Sequence, residues 1–291
     1  MKLAVSIGIP AYNEEKNILN ILNALLKQKL KNVFIKEIIV VSDGSTDSTC
    51  DLVKEFIKKH KTRKIKLIHY KERKGKWFAI NVFLKNSRFK HLVLSSADVI
   101  PKENMIEELC KPLFNKEIGI VASHPIPTNK SNTYLGFAVN FLWKLHHEIS
   151  KINPKFGETI AFKKLFNKIN KIEVDEEFIA YLIQLKGLKG FYAENAIVYN
   201  HGPERISDYL NQRRRIFCGH LKLMKKYKYK VPTLNNVRLI KIVLRKINLK
   251  NFNKIIFTIL IEALSRFLGG IDYIINKEHY KWEIAKTTKQ V

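Results

Sequence analysis

Residues 5–15 read VSIGIPAYNEE, and residues 37–49 read EIIVVSDGSTDST. Each segment begins as an apolar, partly β-branched run, which is typical of a buried strand, and ends in a polar turn. The second run stops at Asp43 and Gly44, so the carboxylate is expected at the carboxyl end of a parallel strand. Ligands of open α/β sheets bind in the crevice at these strand ends. The two segments therefore predict an α/β protein with a ligand site beside Asp43.

The same alternation of strand and helix signals continues to about residue 122. Apolar β-branched runs predict strands, and apolar residues three to four positions apart predict helices. Predicted strands cover 3–9, 37–42, 65–69, 91–95 and 118–122, and predicted helices cover 14–27, 47–59, 75–85 and 103–111. Strands and helices that alternate in this way form a doubly wound, mostly parallel sheet with helices on both faces.

The pattern changes after residue 122, where the segments become less regular. Predicted helices cover 131–150, 176–186 and 207–226, a predicted edge segment covers 159–162, and a predicted strand covers 190–199. Ser207 is the expected N-cap of the third of these helices. The predicted organisation is one domain over 1–228, with halves at about 1–115 and 116–228, followed by a C-terminal region over 229–291.

The chain is strongly basic, with 53 Lys and Arg residues against 26 Asp and Glu residues and a net charge of +27. Between Tyr209 and Ile261 there are 14 Lys and Arg residues and no acidic residue. Such a block favours an anionic partner, which can be a nucleic acid, an anionic membrane or a pyrophosphate. A hydrophobic content of 46% excludes global disorder.

The three cysteines and the first residues bear on the compartment. Cys50, Cys110 and Cys218 are far apart and lack the spacing of metal ligands, so we expect free thiols in a reducing compartment. Met1 to Leu3 lead directly into the first strand, and no signal peptide is expected. The predicted location is the cytoplasm.

Two amphipathic helices are predicted over 236–276. The apolar peak of the second, Ile255–Ile261, is far shorter than the ~20 residues that a membrane-spanning helix needs. This helix either covers the globular core or lies in a membrane interface. Its Glu262 is placed to pair with Arg266 one turn later. The polar residues form one stripe, made of Lys254, Thr258, Glu262, Ser265, Arg266, Gly269 and Asp272.

The turns after the first two strands resemble those of family 2 glycosyltransferases, which read Pro-Ala/Thr-Tyr/Phe-Asn-Glu and Asp-Gly-Ser-x-Asp. The matching residues are Pro10, Ala11, Tyr12, Asn13 and Glu14 in the first turn, and Asp43, Gly44, Ser45 and Asp47 in the second. In the family these turns enclose the base and ribose of a donor nucleotide. The resemblance implies a GT-A-like, doubly wound mixed sheet flanked by helices, with 1–115 as the nucleotide-sugar half and 116–228 as the acceptor half. Asp43 is then the expected acceptor for donor groups of the base or ribose.

Two further segments resemble the family's diphosphate and metal motifs. Gly75 and Lys76 precede a helix, as in the family's Gly-Lys-x-x-Ala-Ile/Leu-Asn segment, and a helix N-terminus beside a cation suits a diphosphate. Ser96-Ala97-Asp98 stands in the place of the family's Asp-x-Asp, which holds a divalent cation against the donor. The resemblance implies that Asp98 binds Mg²⁺ or Mn²⁺ and that Lys76 and Ala97 contact the donor. Ser96 departs from the family pattern, because it replaces the first acid.

Asp175 and Glu176 occupy the place of the family's acidic catalytic motif. The position of Gly187, which follows the catalytic acid by a fairly constant helix length, favours Glu176, whereas Asp175 is the chemically more typical residue. Both remain candidates. In the family such an acid takes the proton from an acceptor hydroxyl as the oxygen attacks the anomeric carbon, which inverts its configuration without a covalent intermediate.

The segment Gln212-Arg213-Arg214-Arg215-Ile216 resembles the Gln-x-x-Arg-Trp motif of members similar to ceramide glucosyltransferase and polysaccharide synthases. Gln212 and Arg215 are three residues apart and share one face of the predicted helix. The resemblance implies that Gln212, Arg213 and Arg215 contact the diphosphate and the acceptor. Ile216 replaces the tryptophan of the motif, so this position offers no stacking platform for an acceptor sugar.

Together these resemblances predict a metal-dependent, inverting glycosyltransferase that moves a hexose from a UDP- or GDP-sugar. The expected acceptor is lipid-linked or a saccharide. It is expected at the cytosolic face of an anionic membrane, which the C-terminal region contacts peripherally. If the acceptor is a polyprenyl phosphate, the nucleophile is already ionised, and Asp175 and Glu176 are not required.

Two alternatives belong to other classes. The basic block suggests a nucleic-acid-binding protein, but the sequence lacks the exposed aromatic and glycine patterns of common RNA-binding modules, and no nucleic-acid partner is expected. A sugar-phosphate nucleotidyltransferase shares the sheet type, but it opens with a glycine-rich phosphate loop, which does not follow the first strand here.

Overall fold

The computed structural model describes residues 2–234, 243, 249–281 and 288, and an eight-stranded sheet lies at its centre. The strands are β1 (Leu3–Ala11), β2 (Val33–Asp43), β3 (Ile65–Tyr70), β4 (His91–Ser95), β5 (Val99–Pro101), β6 (Ile118–Pro127), β7 (Thr159–Lys163) and β8 (Lys189–Asn200). The helices are α1 (Ile18–Leu26), α2 (Thr49–Lys59), α3 (Lys76–Asn86), α4 (Met105–Cys110), α5 (Tyr134–Ile152), α6 (Asp175–Gln184), α7 (Ile206–Tyr227) and α8 (Phe252–Ile274). Short 3₁₀ turns cover Lys111–Phe114, Pro232–Leu234 and Leu249–Asn251.

The strand order in the sheet is β3-β2-β1-β4-β7-β6-β8-β5. Strands β1 to β4 pair in parallel, which confirms the doubly wound first half. Strand β7 is antiparallel to both β4 and β6, and β5 is antiparallel to β8, so the sheet is mixed, as predicted. The fold class predicted from the sequence is therefore confirmed.

One predicted strand lies in a different place. The segment 159–162 was expected at an edge, but β7 lies between β4 and β6 inside the sheet. Its residues Thr159 to Phe162 are fully buried, because both faces of an internal strand are covered. The short strand β5 was not predicted, and it places Val99 opposite Asn200 of β8.

Two apolar clusters cover the two faces of the sheet. One joins β1 side chains such as Ile7 and Ile9 to α1, α2 and α4. The other joins β2 and β4 side chains to α3 and α6, with Phe83 and Phe178 fully buried in it. In α1 the buried residues are Ile18, Ile21, Leu22 and Leu25, the apolar positions that the helical periodicity identifies.

Helix α7 begins at Ile206 with Arg205 as its N-cap, so Ser207 lies in the first turn and does not cap the helix as predicted. The first predicted tail helix falls on residues outside the described part of the chain, apart from Val243, which packs against the α5 cluster.

Helix α8 is oriented with its polar stripe toward the protein. Thr258, Ser265, Gly269 and Asp272 are buried against α7 and α5, and Glu262 pairs with Arg266 at 3.2 Å, as predicted. The side chains that remain exposed on this helix carry no charge. We call the exposed apolar set the outer face of α8; it comprises Phe252, Ile256, Ile259, Leu260, Leu264, Phe267, Ile271 and Ile274. Of the helices that are described, none has an apolar stretch that could span a bilayer.

Candidate active site

A cleft of about 360 Å³ opens where β1, β2 and β4 end at the same edge of the sheet. The loops that follow these strands form its floor, and the first turns of α3 and α7 form its sides. The sequence-predicted residues that line it are Pro10, Ala11, Tyr12, Glu14, Asp43, Lys76, Ala97, Asp98, Gln212 and Arg215. Residues that are 200 positions apart in the chain thus meet at one cleft.

The two turns of the donor motif are bonded to each other. The Asn13 backbone N–H donates to Ser45 Oγ at 3.1 Å, and the Glu14 backbone N–H donates to Thr49 Oγ1 at 2.7 Å. In return, the Thr46 backbone N–H donates to Asn13 Oδ1 at 2.8 Å. Asn13 adopts a left-handed backbone with φ of 53°, which asparagine tolerates better than most residues. These bonds fix the two turns as one wall of the cleft, which we call the donor wall.

Asp43 organises the loop before α3. Its carboxylate accepts backbone N–H bonds from Lys74 at 2.9 Å and from Gly75 at 2.6 Å. Gly75 has φ of +110°, and a Cβ there would lie 2.6 Å from the Tyr280 carbonyl oxygen, so glycine is required. The Arg73 guanidinium lies over the Tyr12 ring at 3.8 Å. Asp43 therefore shapes the donor wall in addition to lining the cleft.

Lys76 links the donor wall to a group of carboxylates. It is the first residue of α3, whose first backbone N–H groups lack partners within the helix, and its ammonium group forms an ion pair with Glu176. Burial works against the charge of Lys76, but Glu176 and Asp175 outweigh burial and raise its pKa. The cation thus stays charged at the base of the cleft.

Four carboxylates surround this point: Asp98, Glu158, Asp175 and Glu176. We call them the carboxylate cluster. Burial raises the pKa of Asp98, while the charge of Lys76 opposes the rise. Burial raises the pKa of Glu158 to about 7, and the negative charge of Asp98 adds to this rise. Arg215 faces the same cluster, and burial lowers the pKa of its guanidinium to about 10 although the carboxylates oppose the shift.

Asp175 and Glu176 differ in their partners. Burial opposes ionisation of Glu176, but the charge and hydrogen bond of Lys76 outweigh it and lower the pKa of this carboxyl. Asp175 is 1% exposed, and its Oδ1 has no hydrogen-bond partner within the described part of the chain. Burial raises the pKa of Asp175 to about 7, so this carboxyl changes protonation state near neutral pH. Neither residue is part of the cleft lining, but both lie close enough to interact with Lys76 and Arg215, which do line it.

Glu158 was not among the predicted site residues. It lies in the loop before β7, half-buried, with a left-handed backbone of φ 55°. Its backbone carbonyl accepts from the Ser96 N–H at 3.0 Å, and its Oε1 accepts from Asn200 Nδ2 at 3.3 Å. The sequence offers one signal for Glu158, which is an acidic residue directly before an apolar strand. Asp43 was identified by an acidic residue at the other end of a strand, where the apolar run stops.

Helix α7 brings Gln212, Arg214 and Arg215 to the cleft but leads Arg213 away from it. The Arg213 guanidinium donates to both carboxylate oxygens of Glu262, at 2.9 and 2.7 Å. Arg213 therefore joins α7 to α8 and does not line the cleft, and its contact with the diphosphate stays a prediction. Its direction differs from that of its neighbours because successive residues of a helix point about 100° apart.

A segment that we call the C-terminal strap (residues 277–281) covers one side of the cleft. His279 contacts Asp272 at 2.8 Å, and Lys222 Nζ donates to the Lys277 carbonyl at 2.8 Å. Lys171 lies 3.5 Å from the centre of the Tyr280 ring. The strap was not predicted as part of the site, because its residues are ordinary surface types without a motif.

The residues present fit a divalent cation that is shared with a ligand. Asp98 places a half-buried carboxylate at the cleft, and carboxylate oxygens suit Mg²⁺ and Mn²⁺. Across the described ranges, no group of three or more His, Cys, Asp or Glu side chains could hold a metal ion by itself. The site therefore suits a cation that takes its remaining ligands from a diphosphate and water, as Mg²⁺ commonly does.

Comparison with known proteins identifies a family. The model of the family described as "Glycosyl transferase family 2" matches residues 6–178, which is more than half of the chain. That range contains the donor turns, Asp98, and the carboxylates Asp175 and Glu176.

Two curated relatives are similar over part of the chain. The chain is 36% identical over 101 residues to a dolichyl-phosphate beta-glucosyltransferase of Drosophila melanogaster, covering 33% of this chain and 31% of the relative. It is 29% identical over 132 residues to a poly-beta-1,6-N-acetyl-D-glucosamine synthase of Staphylococcus epidermidis, covering 44% of this chain and 30% of the relative. The chain thus spans about a third of the length of these curated relatives.

A solved structure shares the fold over the whole chain. It is the mannosyltransferase PcManGT from Pyrobaculum calidifontis, in complex with GDP-Man and Mn²⁺. The TM-score is 0.64 at 20% sequence identity, with coverage of 100% of this chain and 84% of that chain. At this identity the likeness establishes the fold.

Proposed function

The chain belongs to glycosyl transferase family 2, and we propose that it transfers a hexose from a UDP- or GDP-sugar to a hydroxyl group. The proposed acceptor is lipid-linked or a saccharide, and the proposed reaction is metal-dependent and inverts the anomeric carbon. The observation that carries the proposal is that the donor turns, the N-terminus of α3 and Asp98 line one cleft, while Asp175 and Glu176 lie close to Lys76 and Arg215 of its lining.

The donor wall supplies the nucleotide site. Pro10, Ala11, Tyr12 and Glu14 with Asp43 and Ala97 line the part of the cleft assigned to the base and ribose. The diphosphate is assigned to the Gly75–Lys76 turn, because the first N–H groups of a helix and an adjacent cation attract phosphate oxygens. Gln212 and Arg215 approach from α7 and are assigned to the diphosphate and the acceptor rim.

Asp98 is assigned to hold Mg²⁺ or Mn²⁺ together with oxygens of the donor diphosphate. A divalent cation in this position acts as a Lewis acid that stabilises the charge on the leaving nucleotide. Arg215 and Lys76 add positive charge on the same side of the cleft and support the same leaving group.

The transfer exchanges one bond for another. The acceptor oxygen forms a bond to the anomeric carbon while the bond from that carbon to the diphosphate oxygen breaks, and the nucleoside diphosphate leaves with the electron pair. The acceptor proton goes to Asp175, whose unpartnered oxygen and pKa of about 7 suit a general base at neutral pH. Glu176 is assigned to hold Lys76 in place.

The proposed setting is the cytosolic face of an anionic membrane. The outer face of α8 is apolar and uncharged, with Leu260 at 63% and Phe267 at 67% exposure, which is unfavourable in water. In the sequence, Lys250 precedes this helix and Lys277 follows it, and cations near an apolar helix suit anionic lipid headgroups. An in-plane helix of this type places the cleft beside a lipid-linked acceptor.

A second candidate is a polyprenyl-phosphate sugar synthase. The similarity to a dolichyl-phosphate beta-glucosyltransferase favours it. In that reaction the acceptor phosphate is already ionised, so replacement of Asp175 by Asn leaves turnover nearly unchanged, whereas a hydroxyl acceptor makes the same change severe.

The test is a product assay. The protein is incubated with UDP- and GDP-hexoses, Mg²⁺ or Mn²⁺ and membrane lipid extract, and the released nucleotide is identified by chromatography. Release of UDP or GDP with a glycosylated lipid or saccharide of inverted anomeric configuration supports the proposal. Release of pyrophosphate would indicate nucleotidyl transfer instead. No release from any nucleotide sugar would overturn the proposal.

A further inference from the structure

Asp98 lacks the neighbouring acid that the family motif leads one to expect, because residue 96 is serine. A single carboxylate is a weak anchor for a divalent cation. The backbone of this loop is tied to another acidic residue, since the Ser96 N–H donates to the Glu158 carbonyl oxygen at 3.0 Å. The structure thus brings an acid from a different segment to the position beside Ser96.

A second contact links Glu158 to the segment that follows Asp98. Its Oε1 accepts from Asn200 Nδ2 at 3.3 Å, and Asn200 lies opposite Val99 in the β5–β8 pairing. Glu158 is therefore tied to residue 96 through its backbone and, through Asn200, to residue 99. Asp98 lies between residues 96 and 99 in the chain, so the loop that carries it is attached to Glu158 on both sides.

Acidic side chains outnumber cationic side chains around the two carboxylates. The carboxylate cluster faces two cations, Lys76 and Arg215, so two negative charges are uncompensated when all four acids are ionised. Lys155 is the next cation outward, and its strongest interaction is with Glu177. A divalent ion would supply the missing charge.

Two buried oxygen atoms near the cluster are also without partners. Asn200 is 6% exposed and its Oδ1 accepts no hydrogen bond from any described residue, although its Nδ2 contacts Glu158. Asp175 Oδ1 is in the same condition. Buried oxygens are normally satisfied, and a cation or its bound water satisfies such atoms.

We propose that Glu158 supplies the second protein carboxylate of the divalent-cation site, in the role that the acid missing at Ser96 would otherwise fill. This proposal rests on the proposed function, because it assumes that a cation binds at Asp98 together with a nucleoside diphosphate. It goes further in naming a ligand from the loop before β7 that the sequence motifs do not contain.

The experiment measures Mn²⁺ affinity directly. Free Mn²⁺ is followed by electron paramagnetic resonance as it is titrated into protein saturated with UDP or GDP. The proteins compared are the full-length wild type, Glu158→Gln and Asp98→Asn, with Glu117→Gln as the control. Glu117 is an exposed acid that pairs with Lys189 on the surface. We expect Glu158→Gln to weaken Mn²⁺ binding at least ~10-fold, comparable to Asp98→Asn, and Glu117→Gln to bind like the wild type.

Nucleotide affinity without metal is measured in parallel by calorimetry. We expect it to be unchanged in Glu158→Gln, because the substitution keeps the side-chain shape and removes the charge. Equal Mn²⁺ affinity in Glu158→Gln and the wild type would overturn the proposal. Equal loss of nucleotide affinity with and without Mn²⁺ would overturn it too, since Glu158 would then act on the donor wall. If the wild type binds neither nucleotide nor Mn²⁺, the proposed function itself fails.

A second measurement does not depend on how well the variant folds. Crystals of the wild type are grown with Mn²⁺ and GDP or UDP, and the ion is located by its anomalous scattering. A manganese ion bonded to oxygens of both Asp98 and Glu158 supports the proposal. A manganese ion bonded to Asp98 with Glu158 outside its coordination shell contradicts it.

Discussion

Asp43 and Asp175 are both buried acids of the same site, yet the structure surrounds them differently. The Asp43 carboxylate accepts backbone bonds from Lys74 and Gly75 and thereby builds the donor wall. One Asp175 oxygen has no partner in the described ranges. A carboxylate can thus serve a site by holding its backbone in place, as Asp43 does, or by keeping an oxygen without a partner for a reacting group, as proposed for Asp175. A motif in the sequence does not distinguish these two uses.

The largest expected effect is the loss of turnover when Asp175 is replaced. Replacing Asp175 with Asn removes the proton acceptor, and for a hydroxyl acceptor we expect kcat to fall about 10²- to 10⁴-fold with little change in the KM for the donor. The measurement is steady-state turnover with a nucleotide sugar. Glu176→Gln is the matched control, and we expect a smaller loss of kcat, because Glu176 acts through Lys76. A larger loss for Glu176→Gln would reverse the assignment of the two acids.

The next effect is on the carboxylate that shapes the donor wall. Asp43→Asn removes the charge that Lys74 and Gly75 bond to. A hydrogen bond to a charged group contributes about 1.5–3 kcal/mol, so we expect nucleotide affinity to weaken roughly 10- to 100-fold. Calorimetric titration with UDP and GDP gives this value, and kcat at saturating donor should change far less. A fall in kcat at unchanged nucleotide affinity would contradict the role of Asp43 in shaping the donor wall, since Asp43 would then take part in the chemistry.

The pH dependence of activity is a further test of the role of Asp175. Burial raises the pKa of Asp175 to about 7, and a general base acts only when it is ionised. Activity should therefore rise with pH through about 7 and fall about tenfold for each pH unit below it. The profile of kcat/KM from pH 5 to 9 measures this. Residual activity of Asp175→Asn should lose that dependence, and an unchanged profile in the variant would show that another group titrates.

The smallest effect on chemistry is expected at the outer face of α8. Leu260→Asp should weaken binding to anionic phospholipid vesicles about tenfold or more, because a buried leucine contributes about 1.5–3 kcal/mol. Turnover with a water-soluble acceptor should stay unchanged, since the comparison confines chemistry to the cleft. Leu185→Asp is the matched control, because Leu185, the C-cap residue of α6, is 62% exposed and is not part of α8.

Vesicle sedimentation measures the binding, and size-exclusion chromatography with light scattering gives the oligomeric state. A loss of dimer in Leu260→Asp, with vesicle binding unaffected, would assign the outer face of α8 to a second copy of the chain. Equal vesicle binding by both variants and the wild type would remove the membrane from the proposal.

Much of the fold follows from local pattern. The β-branched runs and helical periodicities of the first half coincide with β1 to β4 and α1 to α3, because short-range spacing reflects which face of an element is buried. The position of β7 inside the sheet does not follow from such spacing. An apolar run of four to five residues has the same pattern at an edge or in the interior, and only tertiary pairing decides between them.

Helix α8 shows the same limit for an amphipathic pattern. The stripe of polar residues was identified correctly, but periodicity does not state which side faces the protein. Here α7 presents Arg213 and Arg214, which pair with Glu262 and Asp272, so the polar side turns inward. The ion pairs that decide the orientation join residues about 50 positions apart, and no local signal reports them.

The candidate site divides in a similar way. Residues within contiguous motifs, such as Tyr12, Asp43 and Asp98, were predicted and line the cleft. Glu158 and the C-terminal strap were missed, because each reaches the site through tertiary contacts. Arg213 was included because of its neighbours in the motif, although its own direction on α7 leads it to Glu262.

In the proposed function, one cleft binds a nucleoside diphosphate together with a divalent cation at Asp98. Calorimetric titration of UDP and GDP into the protein, with Mn²⁺ and then with a chelator, tests it most directly. We expect one of the two nucleotides to bind in the presence of Mn²⁺. We expect its affinity to fall at least ~10-fold when the chelator is added, and to the same extent in Asp98→Asn. Absence of binding by both nucleotides, or equal affinity with and without Mn²⁺, would contradict it.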